Sequence, residues 1–200
     1  LFVRVALPDD VDMAHGHVHR SASEDFRGHV MQHAVAHVDG VLQPQQAARR
    51  AVPARAVVKG TLTARAASEA IARGWSKARP EDNLALLPIS DGGDGFGEVI
   101  STLLQARPQT ARTVDAAHRT CKANWWWQAK TKTAVIESAN IIGLAMLPVG
   151  KFHPFQLDTF GLGAVLLVAV NKGAKRIIIG IGGSATNDGG FGLACALGWE

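Results

Sequence analysis

Cysteine is scarce in this chain, with two in 200 residues. Cys121 and Cys195 are too few and too featureless for a disulfide framework. Charged residues are also sparse, at 19%, and the formal net charge is only +4. Apart from Arg49-Arg50 and the Lys130 and Lys132 pair, the basic residues are scattered. That pattern argues for a solvated surface and against a nucleic-acid groove. No apolar run reaches the roughly 20 residues of a membrane span. The most apolar stretch, Phe160 to Val170, ends at Asn171-Lys172-Gly173, a helix stop. Nothing resembles a secretory leader, so the cytoplasm is the expected location. Hydrophobic residues make up 47% of the chain, which excludes disorder of the whole. Its length suffices for one core, or for one domain plus part of another.

Strand-like and helix-like segments alternate. Residues 64–78 are predicted to form a helix with Ala67, Ala70, Ile71 and Trp75 on its buried side. Residues 84–89, 133–138 and 175–181 read as strands, and 94–105, 159–171 and 188–198 as further helices. Such alternation predicts an α/β fold, a largely parallel sheet with flanking helices. Residues 115–127 are expected to be more irregular. Trp125-Trp126-Trp127 reads as part of a strand covered on both faces, in preference to an exposed stacking surface.

Two glycine-rich segments follow predicted strands. The first, Gly180-Ile-Gly-Gly-Ser-Ala-Thr-Asn-Asp-Gly-Gly190, leaves the strand ending at Ile181 and enters an apolar helical run. Glycines let backbone N–H groups approach a ligand without Cβ hindrance, so Gly182 and Gly183 suit an anion-binding turn. Ser184, Thr186 and Asn187 add side-chain donors, and Asp188 could hold a metal ion, accept a proton or cap the helix. The second, Asp91-Gly-Gly-Asp-Gly-Phe-Gly97, places Asp91 and Asp94 among four glycines after a buried strand. Asp91 is also a helix-cap candidate. Ligands in open α/β sheets collect at the carboxyl ends of strands, where loops of this kind converge.

These blocks carry a family resemblance. Lys59-Gly-Thr-Leu-Thr-Ala64, Ala70-Ile-Ala-Arg-Gly-Trp75, Pro88-Ile-Ser-Asp-Gly-Gly-Asp-Gly95, Glu137-Ser-Ala139 and Gly182-Gly-Ser-Ala-Thr-Asn-Asp-Gly-Gly190 occur in the order seen in bacterial-type glycerate kinases. The resemblance spans Lys59 to Glu200. It implies ATP-dependent phosphorylation of D-glycerate by a two-domain α/β protein longer than this chain, which would then be its N-terminal portion. It also implies a nucleotide and D-glycerate as partners, with no nucleic acid or membrane; nothing in it gives the oligomeric state. Phosphoryl transfer needs an oriented hydroxyl, an acceptor for its proton, and donors around the migrating group. On the resemblance, Lys59, Asp91 and Asp188 are the candidates for catalysis. Asp94, Glu137, Gly182, Gly183, Ser184, Thr186 and Asn187 are candidates for substrate or phosphate binding. Mg²⁺ is expected on Asp91 or Asp188. Glu137 has a competing reading, an ion pair with a neighbouring strand.

The N-terminal region departs from the family pattern. Val3-Arg-Val-Ala-Leu-Pro-Asp9 resembles the family's first strand, giving residues 1–9 as that strand, 10–57 as a His-rich insertion or foreign segment, and 58–200 as the kinase-like region. Family members place an acidic residue and an aromatic before the Lys59 motif, where this chain has Ala56-Val57-Val58. His29, His33 and His37 would share one helical face, an arrangement weaker than a structural zinc site. The competing functional readings are an inactive anion-binding remnant of a kinase domain and, more remotely, a histidine-rich metal binder.

Overall fold

A computed structural model describes residues 2–6, 50–54 and 62–199. Lys59 and the His29, His33, His37 stripe lie outside the described residues. The described chain divides into two compact units, one of residues 2–6 and 92–199 and the other of residues 50–54 and 62–91.

In the smaller unit, β2 (Arg50–Ala54) pairs in parallel with β3 (Leu84–Pro88), and helix α1 (Ala64–Ala78) joins them. The Thr63 hydroxyl accepts the Ala66 N–H at 3.1 Å and caps the start of the helix. Burial falls on the small Ala67 and Ser68, whereas Ile71 and Trp75 remain 45% and 38% exposed and Ala70 is exposed as well. Two strands give too little surface to cover the wider apolar stripe that the periodicity predicts. Strand β2 lies within the segment read as foreign, and β1 (Phe2–Ala6) is a strand of the other unit.

The larger unit is built on a five-stranded sheet in the order β1-β7-β6-β5-β4. Strands β4 (Arg107–Val114), β5 (Thr120–Gln128) and β6 (Thr133–Glu137) form an antiparallel meander. Strand β7 (Arg176–Gly180) is parallel to β6 and antiparallel to β1. The sheet is therefore mixed, a correction to the expected largely parallel one. The cause is the region expected to be irregular. Tight turns at 115–119 and 129–132 return the chain directly, and only a crossover can make neighbouring strands parallel. At the first turn, buried Asp115 accepts the Ala117 and Arg119 N–H groups and the Arg119 guanidinium. Burial, the largest influence, pushes its carboxyl up, but the bonds from Arg119 and Ala117 outweigh it and hold the carboxyl below its ordinary value.

Helices cover both faces of the sheet. On one, α4 (Phe160–Asn171) lays Leu162, Val165 and Ala169 over Ala134, Ile136 and Ile177. This apolar stretch is a core helix. On the other face, α2 (Phe96–Leu104) buries Phe96 and Val99. All five residues of β6 are buried, as a strand between two helical layers requires. The tryptophans follow the same logic. Trp125 is buried in the α4-side core with Trp127 edge-on at 6.4 Å, while Trp126 lies against Gly97 of α2, where any Cβ would strike its ring.

Candidate functional site

Parallel strands β6 and β7 deliver their carboxyl ends to one edge of the larger unit. Strand β6 ends at Glu137 and continues into the short helix α3 (Ala139–Ile142); β7 ends at Gly180 and continues into the glycine signature. The two ends are tied together. Ser138 N–H donates to Gly180 O at 2.9 Å, Ala185 N–H to Ile142 O at 2.9 Å, and Leu144 N–H to Gly183 O at 3.0 Å.

Gly182 brings the acidic glycine loop into the same place by donating to Gly92 O at 2.8 Å. A Cβ on Gly182 would lie 2.6 Å from Gly93 N, so the two glycine segments touch backbone to backbone. Gly183 adopts φ +74°, a conformation that suits glycine. A Cβ there would sit 4.0 Å from Asp94 Oδ1. Among the described residues, the N–H groups of Gly183, Ser184, Thr186 and Asn187 have no backbone or side-chain acceptor. The Ser184 and Thr186 hydroxyls are 3.0 Å apart and share one proton bridge.

Two of the candidate carboxylates are committed to helix ends. Glu137 is 7% exposed and accepts Gly97 N–H at 2.8 Å through Oε2 and Gly95 N–H at 3.3 Å through Oε1. It thus closes the N-terminus of α2, whose cap residue is Gly95 at φ +83° with no side-chain cap of its own. Among the described residues Glu137 makes no ion pair with a neighbouring strand, the alternative reading of this carboxylate. Burial raises the Glu137 carboxyl above its ordinary value; the two N–H bonds oppose this, and the charges of Asp94 and Glu98 add to it.

Asp188 stands before α5 (Phe191–Ala196). Its Oδ2 accepts from Thr159 N–H at 3.0 Å, Thr159 Oγ1–H at 2.8 Å and Gly192 N–H at 2.9 Å, and its Oδ1 from Gly190 N–H at 3.4 Å. Burial pushes this carboxyl up, but the bonds from Gly192, Thr159 and Gly190 together outweigh it and hold it below its ordinary value. Sequence reasoning missed Thr159, although a threonine directly before an apolar helical run is a cap signal.

Among the described residues no group of three or more His, Cys, Asp or Glu converges into a metal cage. With Oδ2 of Asp188 already accepting three bonds, the donor set suits magnesium only in its sparse mode. In that mode one or two carboxylates, here the exposed Asp91 or Asp94, would hold the ion together with phosphate oxygens and water. Asp91 ends the smaller unit and Asp94 lies in the larger.

Comparison with known proteins gives the same assignment from several directions. The family model described as the glycerate kinase family matches residues 52–200. A glycerate kinase of Halalkalibacterium halodurans is 39% identical over 140 residues, 70% of this chain and 37% of that protein. A glycerate 2-kinase of Escherichia coli strain K12 is 37% identical over 140 residues, again 70% of this chain and 37% of its own length. Among solved structures, a glycerate kinase 2 from Salmonella typhimurium LT2 superposes with a TM-score of 0.59 at 30% identity, covering 76% of this chain and 41% of that one. The chain thus spans less than half the length of these relatives, and over residues 52–200 it belongs to the glycerate kinase family.

Proposed function

We propose that this chain carries the glycerate- and phosphate-handling portion of an ATP-dependent glycerate kinase, acting in the cytoplasm where ATP is at hand. The observation that carries the reading is the contact of Gly182 with Gly92 and Gly93, which joins the glycine signature to the acidic loop at the strand ends. The N–H groups of Gly183, Ser184, Thr186 and Asn187 then serve as donors to an anion. Asp94, beside Gly183, orients the substrate hydroxyl and takes up its proton as the phosphoryl group moves. Lys59 neutralises the glycerate carboxylate or a nucleotide phosphate. Magnesium, when bound, neutralises phosphate charge, and Asp91 is the carboxylate we assign to it. Glu137 and Asp188 contribute through the loops they hold.

A coupled ADP-release assay with D-glycerate, ATP and Mg²⁺ tests the reading. It is run on this chain and on the chain extended by the C-terminal portion of a relative. ADP release that depends on D-glycerate in the extended protein supports it. Silence from a folded extended protein, with phosphate still bound, moves the assignment to an anion-binding remnant.

A further inference from the structure

Thr159 carries no role in the reaction described above, yet it occupies a junction. It is 8% exposed and stands at the N-cap of α4, where its hydroxyl makes no bond to its own helix. The hydroxyl instead donates to Asp188 Oδ2 at 2.8 Å and accepts Leu193 N–H at 2.8 Å, while the Thr159 N–H donates to the same Oδ2 at 3.0 Å. One side chain therefore links the start of α4 to the last residue of the Asn187-Asp188 pair and to the first turn of α5. The surrounding backbone is built for this approach. A Cβ on Gly192 would lie 2.8 Å from Phe160 N and 2.9 Å from Asp158 Oδ1, and one on Gly163 would lie 2.6 Å from Leu193 O. The α4 N-terminus is in turn anchored to β4, since the Thr113 hydroxyl donates to Gly161 O at 2.8 Å.

We propose that Thr159 is a positioning residue for the glycine signature: through its hydroxyl it fixes the Asp188 carboxylate and the 187–192 backbone against the rigid α4–β4 scaffold. This rests on the kinase reading for its consequence, though not for its geometry. Among the described residues the hydroxyl alone both donates a hydrogen bond to Asp188 and accepts one from Leu193, so a methyl in its place removes the donor to one and the acceptor of the other. A serine keeps both. Loop and helix would then be free to separate by a fraction of an ångström, enough to weaken alignment of a reacting group.

The test compares Thr159→Val, isosteric but without the hydroxyl, with Thr159→Ser in the extended protein used for the ADP-release assay. T159V should lower kcat by about ten- to a hundredfold, with KM for D-glycerate and ATP changed far less, and T159S should restore kcat to within about threefold of the parent. A T159V protein with parental kcat, or a T159S protein as impaired as T159V, overturns the proposal, as does a loss of kcat that simply follows loss of folded protein. Amide exchange on this chain, with no substrate present, gives a second reading that does not depend on activity or on T159V folding. In Thr159→Ala the Leu193 and Gly192 amides should exchange at least about tenfold faster while Ala169, deep in α4, stays unchanged. Unchanged protection at Leu193 overturns the proposal. If no protein, parent included, releases ADP, the kinase reading fails and amide exchange still decides the latch.

Discussion

Replacing Asp188 with asparagine tests whether this carboxylate is part of the fold. The amide oxygen can take the place of Oδ2 and keep the three bonds from Thr159 and Gly192; the amide nitrogen then faces Gly190 N–H, whose bond to Oδ1 is already long at 3.4 Å. What is lost is the charge. Hydrogen bonds to a charged acceptor contribute about 1.5–3 kcal/mol against about 0.5–1.5 for neutral ones. Three such differences, reduced because they share one oxygen at a half-buried site, come to about 2 kcal/mol. For a unit of this size that lowers the thermal midpoint by about 8 °C. The pH dependence follows from the direction of the carboxyl's shift. Its folded-state value lies below the ordinary 3.8, so its contribution is complete above that value and disappears as the pH falls through the lower folded one. Thermal or urea unfolding of the parent and D188N at pH 7 and again near pH 2.5 is the measurement. A gap that is near 2 kcal/mol at neutral pH and narrows in acid is the expected result. Equal stability at pH 7, or a gap that does not narrow, refutes the hydrogen-bond reasoning. A purely catalytic Asp188 would leave the midpoint untouched and lose only turnover.

Glu137 runs in the opposite direction. Its folded value is raised above 4.5, so the stability its titration provides is present in acid and is lost as the pH rises from 4.5 through the raised value; Glu137→Gln should therefore gain on the parent between about pH 4 and 8 in urea unfolding, and a constant difference would contradict the shift. Gly182→Ala puts a methyl against Gly93 N at 2.6 Å and should cost about 1–3 kcal/mol through forced backbone movement. It should also abolish phosphate protection of the signature loop, read as amide exchange with and without phosphate. An alanine variant with parental stability would show that the glycine loops do not touch.

Much of the element pattern was legible because local rules decide it. Strand β3, helix α1, strand β6, helix α4 and strand β7 fall within about two residues of where the sequence pattern puts them. The tryptophan triplet also lies in a strand covered on both faces, with Trp125 and Trp127 on the α4 side and Trp126 against α2. Helix starts after glycine were less legible. Helices α2 and α5 begin at Phe96 and Phe191, each directly preceded by a glycine at positive φ, with the capping carboxylate farther off. Those caps come from Glu137, forty residues away from Gly97, and from Asp188 acting jointly with Thr159.

The sequence by itself determined the family, the alternation of strands β3, β6 and β7 with helices α1, α2, α4 and α5, and the two glycine segments, because each depends on residue types at short spacing. Tertiary structure alone decided the strand directions, since the meander 107–137 rests on turn geometry that composition does not reveal. It also decided which carboxylates are spent on the fold. A carboxylate's role depends on the N–H groups brought to it from other elements, and those distances exist only once β6, β7 and α4 have packed.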